Sequence, residues 1–236
     1  MICISVVSHG HGHLLPKLFK QLIGFSMFGQ IILTLNTVET KEHKYFGPVC
    51  VVKNPSPLGF GENHNNAFKL CNQPYFCVLN PDIEFVDNPF LALVQCLSNT
   101  NHSLVAPVIL SPDGSVEDSA RYYPSVGGVI KKLVFRDDGR WPINFEQPIN
   151  HPDWVAGMFM LFKSEAFKEI GGFDIKYFLY YEDVDICRRL KNHGHQLGLC
   201  TSVSVIHDAR RTSRKNLRYM LWHLKSMLRF LFLRPR

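Results

Sequence analysis

The chain has 236 residues, of which 46% are hydrophobic and 19% charged, so its length and composition fit one large α/β domain. No apolar stretch reaches the roughly 18 residues that a bilayer span needs, and the short segment 2–7 indicates a first strand, so no signal peptide or spanning helix is expected. Nine of the 26 Lys and Arg residues and none of the 20 acids lie from residue 209 onward. The mildly acidic body argues against binding of nucleic acid.

The first half of the chain alternates strand-like and helix-like segments. Strands are predicted over residues 2–8, 31–35, 49–53 and 75–79, and helices over residues 14–23, 62–71 and 90–97. This alternation predicts an α/β fold with a mostly parallel central sheet that helices flank on both faces. Ligands of such sheets bind beyond the carboxyl ends of the strands, so loops 8–12, 36–37 and 80–84 are expected to carry function.

The second half opens with an irregular stretch, residues 111–152, in which turn residues are frequent and no period is clear. Regular signals then return. They predict a strand, two helices and one or two final strands over residues 154–162, 164–170, 183–192 and 196–206.

The last segment predicts an amphipathic helix over residues 213–233. Its apolar face consists of Leu217, Met220, Leu221, Leu224, Met227, Leu228 and Leu231. Basic residues line the other face, a pattern typical of helices that lie in the headgroup region of a membrane. The alternative is that the helix packs on the body or on a partner subunit. We therefore divide the chain into a domain, residues 1–208, and a basic C-terminal segment, residues 209–236, that is expected to bind a membrane surface.

Asp82 closes the segment Leu79-Asn80-Pro81-Asp82 at the end of a predicted strand. A carboxylate in this place can hold Mg²⁺ or Mn²⁺ against a diphosphate, because hard cations prefer oxygen ligands and leave room for phosphates. It can equally cap the turn after the proline. The motif alone leaves both interpretations open.

Three acids stand at the start of the helix predicted from residue 183, directly after the aromatic run 178–181. Acids there stabilise the helix dipole, and Asp185 is expected to do so, paired with Arg188 or Arg189. Apolar surroundings can also raise the pKa of a carboxylate, as a general base requires. Glu182 and Asp183 are left open between the two roles.

Histidines and glycines complete the candidate set. His207 ends the last predicted strand and could be a metal ligand or a polar terminus, whereas the His9-Gly10-His11-Gly12-His13 tract is a poor metal site because alternate residues of a loop rarely converge. The turn Leu58-Gly59-Phe60-Gly61 lets a nucleotide approach the backbone. It matches neither the dinucleotide fingerprint nor a phosphate loop.

Seven segments, taken in chain order, resemble one family. They are Val6-Val7-Ser8-His9-Gly10-His11, Asn54 with Leu58-Gly59-Phe60-Gly61, Leu79-Asn80-Pro81-Asp82, Asp153-Trp154-Val155-Ala156-Gly157, Gly171-Gly172-Phe173-Asp174, the run 181–190, and Val205-Ile206-His207. Together they resemble inverting glycosyltransferase family 2, of the GT-A fold, and within it the rhamnosyltransferases of bacterial O-antigen and cell-wall polysaccharide assembly.

The resemblance implies a role for each site residue. Asp183 matches the general base, and Asp82 and His207 match the site of a divalent ion, Mg²⁺ or Mn²⁺. The implied donor-binding residues are Ser8, His9, Gly10, Asn36, Gly59, Gly61, Asn63 and Asn80. The implied acceptor-binding residues are Trp154, Gly157 and Glu182.

The resemblance also implies substrates and a location. The expected donor is dTDP-L-rhamnose, with a UDP- or GDP-sugar as the alternative, and the expected acceptor is N-acetylglucosamine on a polyprenyl diphosphate. The expected place is the cytoplasmic side of the bacterial inner membrane, in keeping with seven cysteines that form no regular disulfide pattern. Two rivals remain, a nucleotidyltransferase and a catalytically silent membrane-binding scaffold. Residues 8–13 lack the basic residue that the first requires, and the acid set disfavours the second.

Overall fold

The computed structural model describes residues 1–25, 27–39, 49–125, 127–128, 139–208 and 217–233. Residues 209–216, with the first part of the predicted tail helix, lie outside the described residues, as do residues 126 and 129–138 of the irregular stretch. In chain order the elements are β1 (Ile2–Ser8), α1 (Leu15–Ile23), β2 (Phe28–Leu35), β3 (Val49–Lys53), α2 (Phe60–Phe68), β4 (Tyr75–Leu79), β5 (Ile83–Glu84), α3 (Phe90–Asn99), β6 (His102–Leu110), β7 (Ala120–Arg121), β8 (Ile149–Asn150), β9 (Trp154–Val155), β10 (Phe159–Lys163), α4 (Ser164–Glu169), α5 (Glu182–Asn192), β11 (Gln196–His207) and α6 (Leu217–Phe232).

Nine of the described strands form one sheet in the order β3-β2-β1-β4-β10-β6-β11-β5, with β8 paired to β11. Strands β1, β2, β3, β4, β6 and β11 run in one direction, and the other three run against them. The predicted α/β fold with a mostly parallel sheet is therefore confirmed. Because β1, β2 and β4 are parallel and in register, Ser8, the last residue of β1, lies at the same edge of the sheet as Asn36 and Asn80, which follow β2 and β4.

Alternating residues of the central strands face two separate hydrophobic clusters. Ile2, Ile4 and Val6 pack with the apolar faces of α1 and α3. Cys3 of β1 and residues of β4 and β10 pack on the other side with α2, α4 and α5. Both faces of the sheet are thus covered by helices, as parallel sheets require.

Strand β6 was not predicted from the sequence, although it lies in the middle of the sheet between β10 and β11. Its run of apolar residues is buried along almost its whole length and contains Pro107, which cannot donate to a strand ladder. The neighbouring strand accommodates the proline, because the register of β11 shifts between Cys200 and Ser204, beside it. A proline in an apolar run weakens the strand signal.

The single strand predicted over residues 154–162 is wrong. Trp154 and Val155 pair with β7 in a separate two-stranded sheet, and the main-sheet strand begins at Phe159. Between them, the Ala156 N–H donates to Ser119 O at 2.8 Å, and Met158 O accepts from the Asn80 N–H at 2.9 Å. The segment leaves one sheet before it enters the other, because the backbone groups of Ala156 and Met158 are hydrogen-bonded to the loops of Ser119 and Asn80.

Helix α6 packs on the body through one face. Ser226 and Phe230 are buried, and the Ser226 hydroxyl donates to Leu179 O at 3.0 Å. Leu217, Met220, Leu221, Leu224 and Leu228, which belong to the predicted apolar face, are exposed. None of the helices within the described ranges combines the length and apolar character needed to cross a bilayer.

Candidate active site

A cavity of about 470 Å³ opens at the edge of the sheet where the parallel strands end. Residues from the three loops expected to carry function line it. The lining residues predicted from the sequence are His9, Asn36, Asn63, Asn80 and Asp82. These side chains come from four separate stretches of the chain, which the parallel register of β1, β2 and β4 brings together.

Asn36 and Asn63 hold the turn that leads into α2. The Asn36 amide accepts from the Leu58 N–H at 2.8 Å and donates to Leu58 O at 2.9 Å, so it forms a pair of hydrogen bonds with one backbone residue. Asn63 donates to Gly59 O at 2.8 Å. Asn54 donates to both asparagines, at 2.9 Å and 2.6 Å. These amides shape one wall of the cavity.

Asp82, His207 and Glu117 form a chain of polar contacts. Asp82 Oδ2 lies 3.4 Å from His207 Nε2, and His207 Nδ1 lies 3.0 Å from Glu117 Oε2. Burial lowers the pKa of His207, but the two carboxylates outweigh it and raise the pKa to about 8. In this form the imidazolium bridges the two acids, and a metal ion on Nε2 would displace the proton there.

The chemistry of these residues fits a divalent cation. Asp82 Oδ1 is buried and has no hydrogen-bond partner within the described residues, so it is an oxygen available for a ligand. Glu117 can keep the proton on Nδ1 of His207, which leaves the Nε2 lone pair for a metal. No three His, Cys, Asp or Glu side chains of the described part of the chain form a metal cage. Mg²⁺ fits this arrangement because it takes one or two protein carboxylates together with substrate phosphates.

Asp183 lies in more apolar surroundings at the start of α5. Its Oδ2 accepts from the Gly157 N–H at 3.1 Å, and its Oδ1 accepts from the Val184 N–H at 2.9 Å. Burial raises the pKa of Asp183 against the effect of these hydrogen bonds. Burial and the neighbouring Asp183 raise the pKa of Glu182 well above its ordinary range.

The loop before Asp183 is strained. Tyr180 and Tyr181 both have positive φ angles, 68° and 67°, in a region that large side chains rarely enter. Helix α6 covers this loop, because Leu179 O accepts from Ser226 and the Tyr181 ring packs 5.7 Å from that of Phe230. Consecutive residues in such a conformation are kept only where the surrounding structure fixes them, most often at functional sites.

The third acid of the α5 start has a structural role, as predicted. Asp185 is buried and accepts from Arg189 Nε at 2.7 Å, with Arg188 at 3.8 Å. Arg189 in turn donates to Ile170 O and Gly172 O, at 2.8 Å and 2.7 Å. The pair ties α5 to the Gly171-Gly172 turn.

Two predicted donor-binding glycines are explained by packing on protein. A Cβ atom on Gly59 would lie 2.7 Å from Phe178 O, and one on Gly61 would lie 2.5 Å from the Phe173 Cβ. The Phe60 N–H donates to Phe178 O at 2.9 Å. The glycine turn is therefore the place where the α2 end of the cavity meets the loop that leads to Asp183.

The other predicted site residues do not line the cavity; they are Ser8, Gly10, Gly59, Gly61, Trp154, Gly157, Glu182, Asp183 and His207. Ser8 is buried and donates to Glu39, while Gly10 follows with φ +79° in open space. Trp154 donates from its indole to Tyr122 O at 3.0 Å, at the edge of the two-stranded sheet. The structure therefore gives Ser8 and Trp154 intramolecular partners, and their assigned donor and acceptor contacts stay predictions.

Several lining residues were not predicted. The cavity is also lined by Val7, His11, Pro57, Leu58, Phe60, Pro81, Phe178, Leu179, Arg218, Tyr219 and Trp222. The last three belong to α6. The sequence pattern indicated their helix, but it gave no indication that this helix reaches the cavity. Glu117, the partner of His207, lies in the irregular stretch, where no pattern singles it out.

Comparisons with known proteins agree with this architecture. A sequence model described as glycosyl transferase family 2 matches residues 34–171. The chain is 27% identical, over 98% of its length, to rhamnosyltransferase WbbL of Escherichia coli K12, of which it covers 92%. It is 33% identical, over 72% of its length, to the N-acetylglucosaminyl-diphospho-decaprenol L-rhamnosyltransferase of Mycobacterium tuberculosis, of which it covers 59%.

The fold has solved counterparts as well. The structure of GalNAc-T7 with UDP, GalNAc and Mn²⁺ matches 92% of this chain with a TM-score of 0.69 at 17% identity, and the match spans 44% of that chain. This likeness shows a GT-A-like fold. Because the family model covers more than half of the sequence, the chain is a glycosyltransferase and belongs to glycosyltransferase family 2.

Proposed function

We propose that this protein transfers L-rhamnose from dTDP-L-rhamnose, with inversion, to N-acetylglucosamine on a polyprenyl diphosphate. The sugar and the acceptor are taken from the names of two relatives, which are both rhamnosyltransferases and one of which acts on a lipid-linked N-acetylglucosamine. These names do not give the nucleotide of the donor, for which we propose dTDP, with a UDP- or GDP-sugar as the alternative.

The observation that carries the proposal is the short path between the two acids. The Asn80 N–H donates to Met158 O. The N–H of Gly157, the residue before Met158, donates to Asp183 Oδ2. Asn80 is two residues before Asp82. The break between β9 and β10 therefore links the loop of one acid to the side chain of the other. Two carboxylates joined by this path support a metal ligand and a general base acting on a single sugar.

The reaction follows from this arrangement. A hydroxyl oxygen of the acceptor attacks the anomeric carbon from the face opposite the diphosphate, and Asp183 takes the hydroxyl proton. The new C–O bond forms as the bond from the anomeric carbon to the diphosphate oxygen breaks, so configuration inverts and nucleoside diphosphate leaves. A positioned base of this kind contributes about 10²- to 10⁴-fold.

Asp82 and His207 would hold Mg²⁺ or Mn²⁺ beside the leaving group. A bound divalent ion offsets the negative charge that develops on the departing diphosphate. Glu117 orients His207 for this task. The buried, unpartnered Oδ1 of Asp82 supports the assignment, and the Mn²⁺ in the structurally similar enzyme is in keeping with it.

The exposed apolar face of α6 supports binding to a membrane. Leu217 and Leu221 expose 75% and 66% of their surface, and Lys225 is exposed on the same helix. Apolar burial together with attraction to anionic headgroups would place the enzyme beside a lipid-linked acceptor. We test this by flotation with anionic vesicles. We expect Leu221→Gln/Leu224→Gln to lose recovery and Leu91→Gln, on α3, to keep it; equal recovery of both rejects the membrane role.

The transfer itself is tested with purified full-length protein and a synthetic N-acetylglucosaminyl diphosphate lipid. dTDP-rhamnose, UDP-sugars and GDP-sugars are compared in turn, with Mg²⁺ or Mn²⁺. We expect a disaccharide lipid only with dTDP-rhamnose. Its anomeric configuration, read from the carbon–hydrogen coupling constant, should be opposite to that of the donor. Transfer from another donor selects the alternative, and retention of configuration rejects the displacement at Asp183.

A further inference from the structure

Helix α6 forms part of the cavity wall. Arg218, Tyr219 and Trp222, at positions i, i+1 and i+4, all line the cavity that Asp82 also lines. Because residues i and i+4 of a helix share a face, Arg218 and Trp222 enter the cavity side by side. The exposed leucines lie on another face of the same helix.

Arg218 is held in this position by aromatic rings. Its guanidinium carbon lies 4.8 Å from the centre of the Trp222 ring, and Tyr219 meets that ring edge-on at 5.3 Å. Trp222 in turn packs against Phe178, with ring centres 4.8 Å apart. Stacking on an aromatic face fixes the plane in which a guanidinium lies.

The charges along the cavity explain what Arg218 would bind. Among the described residues that line the cavity, those able to carry a positive charge are His9, His11 and Arg218. Burial lowers the pKa of His11, whereas an arginine guanidinium is always charged. The donor diphosphate is strongly negative, and Asp82 on the same wall adds another negative charge. A permanent cation on this cavity therefore favours the diphosphate.

We propose that Arg218 binds the diphosphate of the nucleotide-sugar donor, which makes the C-terminal helix part of the donor site. This inference rests on the proposed function. Arg218 donates hydrogen bonds to phosphate oxygens, for which its planar fork is well shaped. Trp222 is a positioning residue that holds the guanidinium, and Phe178 connects it to the Gly59 turn through the Phe60 N–H.

The assignment is tested by calorimetry on the full chain with dTDP and with thymidine, in Mg²⁺ and without lipid, so that membrane binding plays no part. The variants are Arg218→Gln and Arg218→Lys, with Lys225→Gln as the matched control because Lys225 is an exposed cation of the same helix. Thermal unfolding of each variant checks that the helix remains docked.

We expect Arg218→Gln to weaken dTDP binding about 10- to 100-fold, with Arg218→Lys in between, as the loss of a charge-assisted contact requires. Lys225→Gln should stay within twofold of the wild type, and thymidine should be affected much less than dTDP. Equal losses for thymidine and dTDP, or no loss for either, overturn the role of Arg218. If the role of Arg218 is overturned but Asp82→Ala still weakens dTDP binding, only the further inference is rejected and the proposed function stands. If the unaltered protein, titrated also with UDP and GDP, binds none of the three nucleotides, both proposals fail.

Discussion

Asp82 and Asp183 are the same residue type in two different surroundings. Asp82 follows β4 on an open cavity, where its side chain is 26% exposed and meets an imidazole, and one of its oxygens is unpartnered within the described residues. Asp183 lies behind a strained aromatic loop, accepts two backbone N–H groups and has a raised pKa. The first environment suits a cation, and the second suits a proton acceptor.

The difference follows from local chain geometry more than from the acids themselves. Asp82 lies three residues beyond the end of β4, with one oxygen near His207 and the other buried without a partner within the described residues. Asp183 begins α5, where two backbone N–H groups bind its carboxylate and α6 covers the loop before it. Environments that separate two carboxylates in this way are how one site obtains both a charged ligand and a base at neutral pH.

The sharpest way to break the comparison is to remove the base without changing its shape. Asp183→Asn keeps an oxygen that can accept from Gly157, but it cannot take a proton. We expect turnover to fall about 10²- to 10⁴-fold, with donor binding unchanged. Initial rates and calorimetry on the same preparation measure the two quantities.

Glu182→Gln is the matched control, because it makes the same change from acid to amide at the neighbouring residue of α5. Its rate should fall far less than that of Asp183→Asn. If the two variants lose activity equally, or if Asp183→Asn stays within a few-fold of the wild type, Asp183 is not the base.

Removal of the other acid should affect binding. Asp82→Ala deletes an oxygen ligand of the divalent ion, so we expect dTDP to bind at least tenfold more weakly in Mg²⁺ or Mn²⁺, with little change in the presence of EDTA. Titration calorimetry measures both. Glu84→Gln is the control at the same sheet edge, where Glu84 pairs with Lys17 on the surface. Unchanged metal-dependent affinity in Asp82→Ala contradicts the assignment.

The pH dependence of kcat sharpens the comparison further. Burial raises the pKa of Asp183, so the base form is complete above that raised value and is lost as the pH falls through it. With saturating Mn²⁺ and donor, we expect kcat to fall about tenfold per pH unit below a midpoint that lies above 4, the ordinary region for aspartate. A midpoint at or below 4 would mean that Asp183 is not desolvated.

Gly59 offers the smallest effect, because its close contact with Phe178 connects the two regions through the backbone. A Cβ atom there would lie 2.7 Å from the backbone oxygen of Phe178, so the loop leading to Asp183 must move. We expect Gly59→Ala to lower the free energy of unfolding by about 1–3 kcal/mol and to reduce turnover. Gly127→Ala, where an added Cβ meets nothing within 4 Å, is the control in chemical denaturation. Equal stability of the two variants contradicts this contact.

Much of the fold was predictable from periodicity. The strands that form the ligand edge are short apolar runs stopped by polar or turn residues, so β1, β3 and β4 were predicted with the bounds they have. The strand β6 was missed because Pro107 interrupts its pattern, and the β9–β10 break was missed because Trp154 to Phe162 is almost continuously apolar. Sequence periodicity does not record which backbone groups bind a distant loop.

The candidate site was predictable mainly where its residues follow or end a strand or, like Asp183, begin a helix. Asn80 and Asp82 follow β4, and His207 closes β11. Glu117 comes from a stretch without any period, and Arg218 belongs to a helix whose charges looked like a solvated face. Both reach the site through tertiary packing, which the local pattern of either segment does not encode.

The most direct test of the account is a crystal structure of the protein with dTDP and Mn²⁺, in which anomalous scattering locates the metal. We predict one Mn²⁺ bound by Asp82 and His207, a diphosphate between this ion and Arg218, and Asp183 facing the space beyond the terminal phosphate. A nucleotide bound elsewhere, or a metal that does not contact Asp82, would contradict it.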